Sequence, residues 1–179
     1  MEAESNAMVE IRARHAEYSA LRERIVEHIF IGEAMRRLWQ LGVLNVEILH
    51  AEFDSSGYDL VMCCGRVMRH VQFKVSLVDG ARAQVTINQR LAQAPSGCVV
   101  WLGVSEALEI MEYRWFGGEP GRPLPDLSDR ALGRHTRQGI KAERSNQRIL
   151  TKGAFEVLGG LDETLRRLFA ITRSEQEGK

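Results

Sequence analysis

The chain has little of what marks several protein classes. Only 3 of its 179 residues are cysteines, and their positions match neither a disulfide framework nor a zinc site. No apolar run approaches the roughly 18 residues of a membrane-spanning helix, and the first residues lack the apolar core of a signal peptide. The formal net charge is zero. These absences predict a cytoplasmic protein with reduced thiols and no membrane partner.

The composition is otherwise that of a globular domain, with 44% hydrophobic and 27% charged residues. The length fits one domain. Because Ser5-Asn6-Ala7 before Met8 is typical of a cloning remnant, we expect residues 1–8 to be a tag or disordered. Residues 9–179 then form a single domain. Within it, residues 117–147 are rich in glycine and charge and are predicted to form a long loop or arm.

Hydrophobic periodicity predicts the order of secondary structure. Helices are expected over 17–42, 82–94 and 161–171, and strands over 43–53, 58–76 (a pair), 98–104, 109–116 and 148–152. The run 98–104 is apolar throughout, as in a strand buried on both faces. The run 109–116 alternates, as in an edge strand. This order predicts an α/β fold, a three-layer α/β/α sandwich around a mixed sheet.

The most informative segment is the strand pair at 58–76. Two strand-like runs flank Cys64-Gly65-Arg66, which predicts a hairpin. Side chains alternate in a strand, so Gln72 and Lys74 share one face of the second run while Phe73 points to the other. Asp59 opens the first run. A carboxylate, an amide and an amine are thus expected near one another.

This arrangement resembles the PD-(D/E)XK nuclease superfamily, the restriction-endonuclease-like fold. That motif is an Asp opening one strand and a (Asp/Glu)-x-Lys on the next, and the Gln-x-Lys variant occurs in homing-endonuclease-like and resolvase-like branches. Asp59 stands for the motif Asp, Gln72 for the second acid and Lys74 for the motif Lys. The superfamily also has a helix Glu before the core strands, and Glu33 fits that position. The resemblance covers roughly residues 20–105.

The resemblance implies a metal-dependent nuclease acting on DNA, with Mg²⁺ or Mn²⁺ as cofactor. The catalytic set would be Glu33, Asp59, Gln72 and Lys74. Asp59, the Gln72 amide and the Phe73 carbonyl would bind the ion, and Glu33 would bind a second ion or its water. Lys74 would orient the attacking water and stabilise developing charge.

Each residue also has an ordinary interpretation. Asp59 can cap its own turn, and Glu33 can pair with Arg36 or Arg37 on the helix surface. Lys74 can lie at an edge or on an open face of the strand, paired with Asp59. A neutral Gln72 also fits a catalytically inactive nuclease-fold protein that serves as a nucleic-acid-binding or scaffold module. A third class is an oligomeric α/β protein without a nucleic-acid role. The oligomeric state is not fixed by the sequence, and a homodimer is compatible with it.

Positive charge is concentrated in one stretch. Residues 130–148 carry six basic residues against Glu143 alone. Such a stretch is either a solvated surface or a phosphate-binding segment. In the second interpretation the DNA contacts would come from Arg134, Arg137, Lys141 and Arg144.

Overall fold

The computed structural model describes residues 2–52, 56–137 and 140–171, with the side chains of residues 2–8 and 134–144 outside that description. The helices are α1 (Glu2–Glu17), α2 (Ser19–Gln40) and α3 (Leu161–Phe169). The strands are β1 (Val46–His50), β2 (Leu60–Cys64), β3 (Val67–Leu77), β4 (Gln84–Asn88), β5 (Gly97–Val104), β6 (Ile110–Gly117), β7 (Leu132–Arg137), β8 (Ile140–Thr151) and β9 (Glu156–Leu158).

A six-stranded mixed sheet forms the centre, in the order β1-β2-β3-β5-β6-β9. Only β3 and β5 pair in parallel, and the other neighbours are antiparallel. All eight residues of β5 are buried, as its continuous apolar run predicted. The expected β2–β3 hairpin is confirmed, with Cys64 opposite Val67 across its turn. The α/β class and the mixed sheet are therefore both present.

The helices cover one face of this sheet. Helix α2 buries Val26, Phe30, Ala34 and Leu38 against that face, together with α3 residues such as Leu168. A bidentate ion pair from Arg37 to Asp162, at 2.7 and 2.8 Å, joins α2 to the start of α3. The Arg37 guanidinium lowers the pKa of Asp162. In the described ranges, no helix is long and apolar enough to cross a bilayer.

The opposite face is covered by a second sheet, in the order β4-β8-β7. Val85 and Ile87 of β4 pack with Leu150 of β8 and with Trp101 and Val99 of β5 in a second core. The three layers are therefore one layer of helices and two sheets. The prediction of a second helical layer is wrong. The reason lies in residues 82–94. Alternation at Val85 and Ile87 forms β4, and only Gln89–Gln93 is helical, as a single 3-10 segment.

Other boundaries also differ from expectation. Strand β6 is internal, because the three residues of β9 pair with its outer edge. The predicted long loop at 117–147 instead contains β7 and much of β8, which form an antiparallel hairpin. Residues 2–8, expected to be a tag or disordered, are part of α1. The β7–β8 hairpin is polar and is formed by backbone pairing. Its sequence has no apolar period from which strands could be predicted.

Candidate active site at the fork between two strands

Strands β2 and β3 separate where β2 begins. Pairing with β2 involves β3 residues from Val67 to Val71, whereas pairing with β5 continues as far as Leu77. Among the residues that the structure describes, one edge of β3 therefore has no strand partner beyond Val71. Side chains satisfy that edge instead: Asp59 accepts from the Phe73 N–H, and Arg82 donates to the Val75 carbonyl at 3.1 Å. At the fork, side chains thus make hydrogen bonds that a neighbouring strand would otherwise make.

Asp59 lies at the opening of the fork. Its Oδ2 accepts a hydrogen bond from the Phe73 N–H at 2.6 Å, and its own N–H donates to the Val71 carbonyl at 2.9 Å. The side chain is half-buried. This hydrogen bond satisfies the open edge of β3, which differs from the ordinary interpretation of Asp59 as a cap of its own turn. The same contact also holds the carboxylate beside the Gln72–Lys74 segment, as the resemblance implies.

Gln72 is the residue next to that contact. It lies on the face of β3 turned toward the second sheet, is only 4% exposed, and is in register with Val99 of β5. Its Oε1 is buried and has no hydrogen-bond partner in the described part of the chain. An unpaired buried amide oxygen costs about 1–3 kcal/mol. Despite that cost, the fold retains there an oxygen atom of the kind that can act as a metal ligand.

Lys74 follows on the same face of β3, in register with Trp101. It is half-buried, and it forms no ion pair with any other residue that the structure describes. The ordinary interpretation of Lys74 as the ion-pair partner of Asp59 therefore finds no support among those residues.

Glu33 lies elsewhere. It belongs to α2, on the opposite face of the sheet from Gln72, and its charge raises the pKa of Tyr113, which burial raises more strongly, to about 12. Tyr113 is on β6, two strands beyond β3 in the sheet. The structure therefore holds Asp59 beside the Gln72–Lys74 segment, whereas Glu33 belongs to the helical layer on the other face of the sheet.

Helix α2 also places a buried carboxylate, Glu27, near the end of the sheet where the fork opens. It is 5% exposed, and its Oε1 lies 2.7 Å from an Arg24 nitrogen and 3.3 Å from Nδ1 of His50. His50 pairs with Leu60, the residue after Asp59. Sequence reasoning missed Glu27 because Glu23, Glu27 and Glu33 all lie in the same helical run, and only packing shows which one turns inward.

The donor set suits a hard divalent cation. The Asp59 carboxylate, the Phe73 carbonyl and the unpartnered Gln72 Oε1 are all oxygens, which Mg²⁺ and Mn²⁺ prefer. No group of three or more His, Cys, Asp and Glu side chains suited to a metal occurs among the described residues. An ion bound by Asp59 would also use the amide and carbonyl oxygens, and substrate oxygens would complete its shell.

The basic stretch belongs to the second sheet. Strand β4 pairs only with β8 residues 147–151, so the rest of the β7–β8 hairpin extends beyond it. The backbones of Arg134, Arg137, Lys141 and Arg144 lie in this hairpin, and their side chains are outside the described ones. The predicted arm thus has a defined two-stranded backbone.

Neither a protein-family model nor a curated protein matches this chain.

Proposed function

We propose that the chain is a Mg²⁺- or Mn²⁺-dependent nuclease of the restriction-endonuclease-like type that cleaves phosphodiester bonds in DNA at the β2–β3 fork. The observation that carries this proposal is the Asp59 carboxylate held 2.6 Å from the Phe73 N–H, beside the unpartnered Gln72 Oε1. Lys74, two residues after Gln72 and on the same face of β3, supplies the cation.

Each residue has a defined part in the reaction. Asp59, Gln72 and the Phe73 carbonyl would hold the ion, which when bound polarises phosphate oxygens and lowers the pKa of water. Lys74 donates hydrogen bonds to a phosphate oxygen and stabilises the negative charge that grows there. The hydrogen bond from Phe73 keeps the Asp59 carboxylate in one orientation, so little reorganisation is required when substrate arrives.

The basic hairpin supplies affinity for DNA. Residues 130–148 carry six basic side chains, and β7 and β8 hold this stretch as a two-stranded arm. Contacts from such residues go to phosphates and fix the position of the duplex without reading its sequence. Affinity and chemistry would therefore reside in different parts of the chain.

A binding protein without cleavage is the second candidate. It is favoured by the neutral Gln72, which stands where the motif has a second acid. Such a protein would use the hairpin to bind nucleic acid and would keep Asp59 only for its hydrogen bond to the open edge of β3.

Cleavage of plasmid DNA separates the two candidates. Purified protein with Mg²⁺ or Mn²⁺ is expected to nick or linearise plasmid, and EDTA to stop it. Lys74→Met should abolish cleavage while retaining DNA binding. Arg66→Met is the matched control, because Arg66 is exposed in the turn at the far end of the hairpin. Cleavage by Lys74→Met at the parental rate would refute the assignment.

A further inference from the structure

A polar cavity of about 360 Å³ opens beside the fork. It lies between the residues that lead into β2, the middle of β3 and the 3-10 segment that follows β4. Its walls include the polar or aromatic side chains of Ser56, Tyr58, His70, Arg90 and Gln93. The volume falls within the range of pockets that hold small ligands.

His70 is held in one orientation in this wall. Its Nδ1 lies 2.5 Å from the Pro95 carbonyl oxygen, and because a carbonyl only accepts, Nδ1 carries the hydrogen. In the neutral ring, Nε2 is then the acceptor, and it has no hydrogen bond among the residues described here. The ring also meets Tyr58 edge-on, with centroids 4.8 Å apart and planes at 70°. Two rings are thus fixed at the cavity before any ligand binds.

The cavity is adjacent to the proposed chemistry. Tyr58 directly precedes Asp59, and His70 precedes Gln72 by two residues on the same face of β3. Two residues span about 6.6 Å along a strand. A nucleic-acid strand with one phosphodiester at the fork would therefore place a neighbouring nucleotide at the cavity.

We infer that this cavity binds an unpaired nucleotide of the substrate strand, next to the bond that is cut. The inference rests on the proposed nuclease function and adds that its preferred substrate is nucleic acid with a single-stranded segment. The Tyr58 ring can contact a base, and the positive Arg90 side chain can meet either a base face or a phosphate. The His70 Nε2 and the Gln93 amide can bond a base edge. A base within a duplex is stacked and paired, so it enters such a cavity only after leaving the helix.

Binding without metal tests the inference. Fluorescence anisotropy in EDTA would compare a short single-stranded oligonucleotide with a duplex of the same length. The variants are Tyr58→Leu, which keeps apolar bulk against the second core, and Arg90→Gln, at an exposed position. Arg66→Gln is the control, an exposed arginine at the far end of the β2–β3 hairpin.

The parent is expected to prefer the single strand, and each cavity variant should bind it about tenfold more weakly, with duplex binding little changed. Arg66→Gln should match the parent. Equal or tighter binding of duplex by the parent, or parental single-strand affinity in both cavity variants, would overturn the inference.

The two proposals fail separately. A parent that binds single strands through this cavity but cuts no DNA with Mg²⁺ or Mn²⁺ would refute the nuclease and leave the cavity assignment standing. A parent that cuts DNA while both cavity variants bind normally would refute the cavity alone.

Discussion

The Asp59 carboxylate accepts the Phe73 N–H across the β2–β3 fork at 2.6 Å. One side chain therefore closes an otherwise unpaired strand edge and presents a negative charge beside Gln72. Asparagine can retain the hydrogen bond through its Oδ1 while losing the charge. Asp59→Asn consequently separates the structural part of this residue from its chemical part, whereas Asp59→Ala would remove both.

Replacing Gln72 by glutamate should tighten metal binding. The parent site offers a neutral oxygen where a second carboxylate would add charge, so Mg²⁺ should bind weakly without phosphate and more tightly to Gln72→Glu. Isothermal titration calorimetry measures both affinities. Equal or weaker metal binding by the variant would show that Gln72 does not coordinate the ion.

Replacing Gln72 by methionine should instead separate stability from function. The buried Oε1 lacks a partner, and its removal should stabilise the metal-free protein by about 1–3 kcal/mol. Metal affinity should fall at the same time. Chemical denaturation in EDTA gives the free energy of unfolding. A destabilised Gln72→Met protein would show that the amide contributes to folding.

The hairpin should control the salt dependence of DNA binding. Each basic side chain that neutralises a phosphate contributes about −0.9 to the slope of log K against log salt for duplex DNA. Arg134→Ala, Arg137→Ala and Lys141→Ala combined should weaken binding and flatten that slope by up to about three units. Cleavage at saturating DNA should remain nearly intact. An unchanged affinity and slope in the triple variant would show that the hairpin is a solvated surface without phosphate contacts.

Stability should fall at alkaline pH because of Cys98. Burial raises the pKa of this thiol to about 11, from an ordinary 9.0. Between these values the folded protein holds the proton more tightly than the unfolded chain, so the free energy of unfolding decreases as pH rises. The full loss from this group is about 3 kcal/mol.

Denaturant unfolding from about pH 8 to about pH 11 would measure that loss, because a thiol titrates in roughly this range. Cys98→Ala should show a shallower decline with pH, whatever its stability at neutral pH. The same decline in parent and variant would assign the alkaline sensitivity to other groups.

The sequence predicted the β2–β3 hairpin because local patterns define it. Alternation across Gln72, Phe73 and Lys74 and a glycine turn at Gly65, where φ is +59°, together specify a hairpin and its faces. The apolar run of β5 likewise predicted a buried strand. Each of these features depends on residues close together in the chain.

Tertiary packing decided what the sequence could not predict. Val85 and Ile87 pair with β8, more than sixty residues away, so a segment that ends in good helix formers becomes a strand. Strand β9 has three residues, too few for any period, yet its pairing makes β6 internal. Helix periodicity could not distinguish Glu27 from Glu33, because the choice depends on where α2 crosses the sheet.

The most direct test of the fork as a catalytic centre compares Asp59→Asn with Glu33→Gln in single-turnover cleavage of a labelled DNA containing single- and double-stranded segments, with Mg²⁺. Both substitutions remove one carboxylate, and Asp59→Asn retains an acceptor for the Phe73 N–H. The fork assignment predicts that Asp59→Asn loses cleavage by about a hundredfold or more, on the scale of a lost group that stabilises transition-state charge. Glu33→Gln, on the other face of the sheet, should cut at the parental rate. Full activity in Asp59→Asn, or its loss in Glu33→Gln alone, would contradict the account.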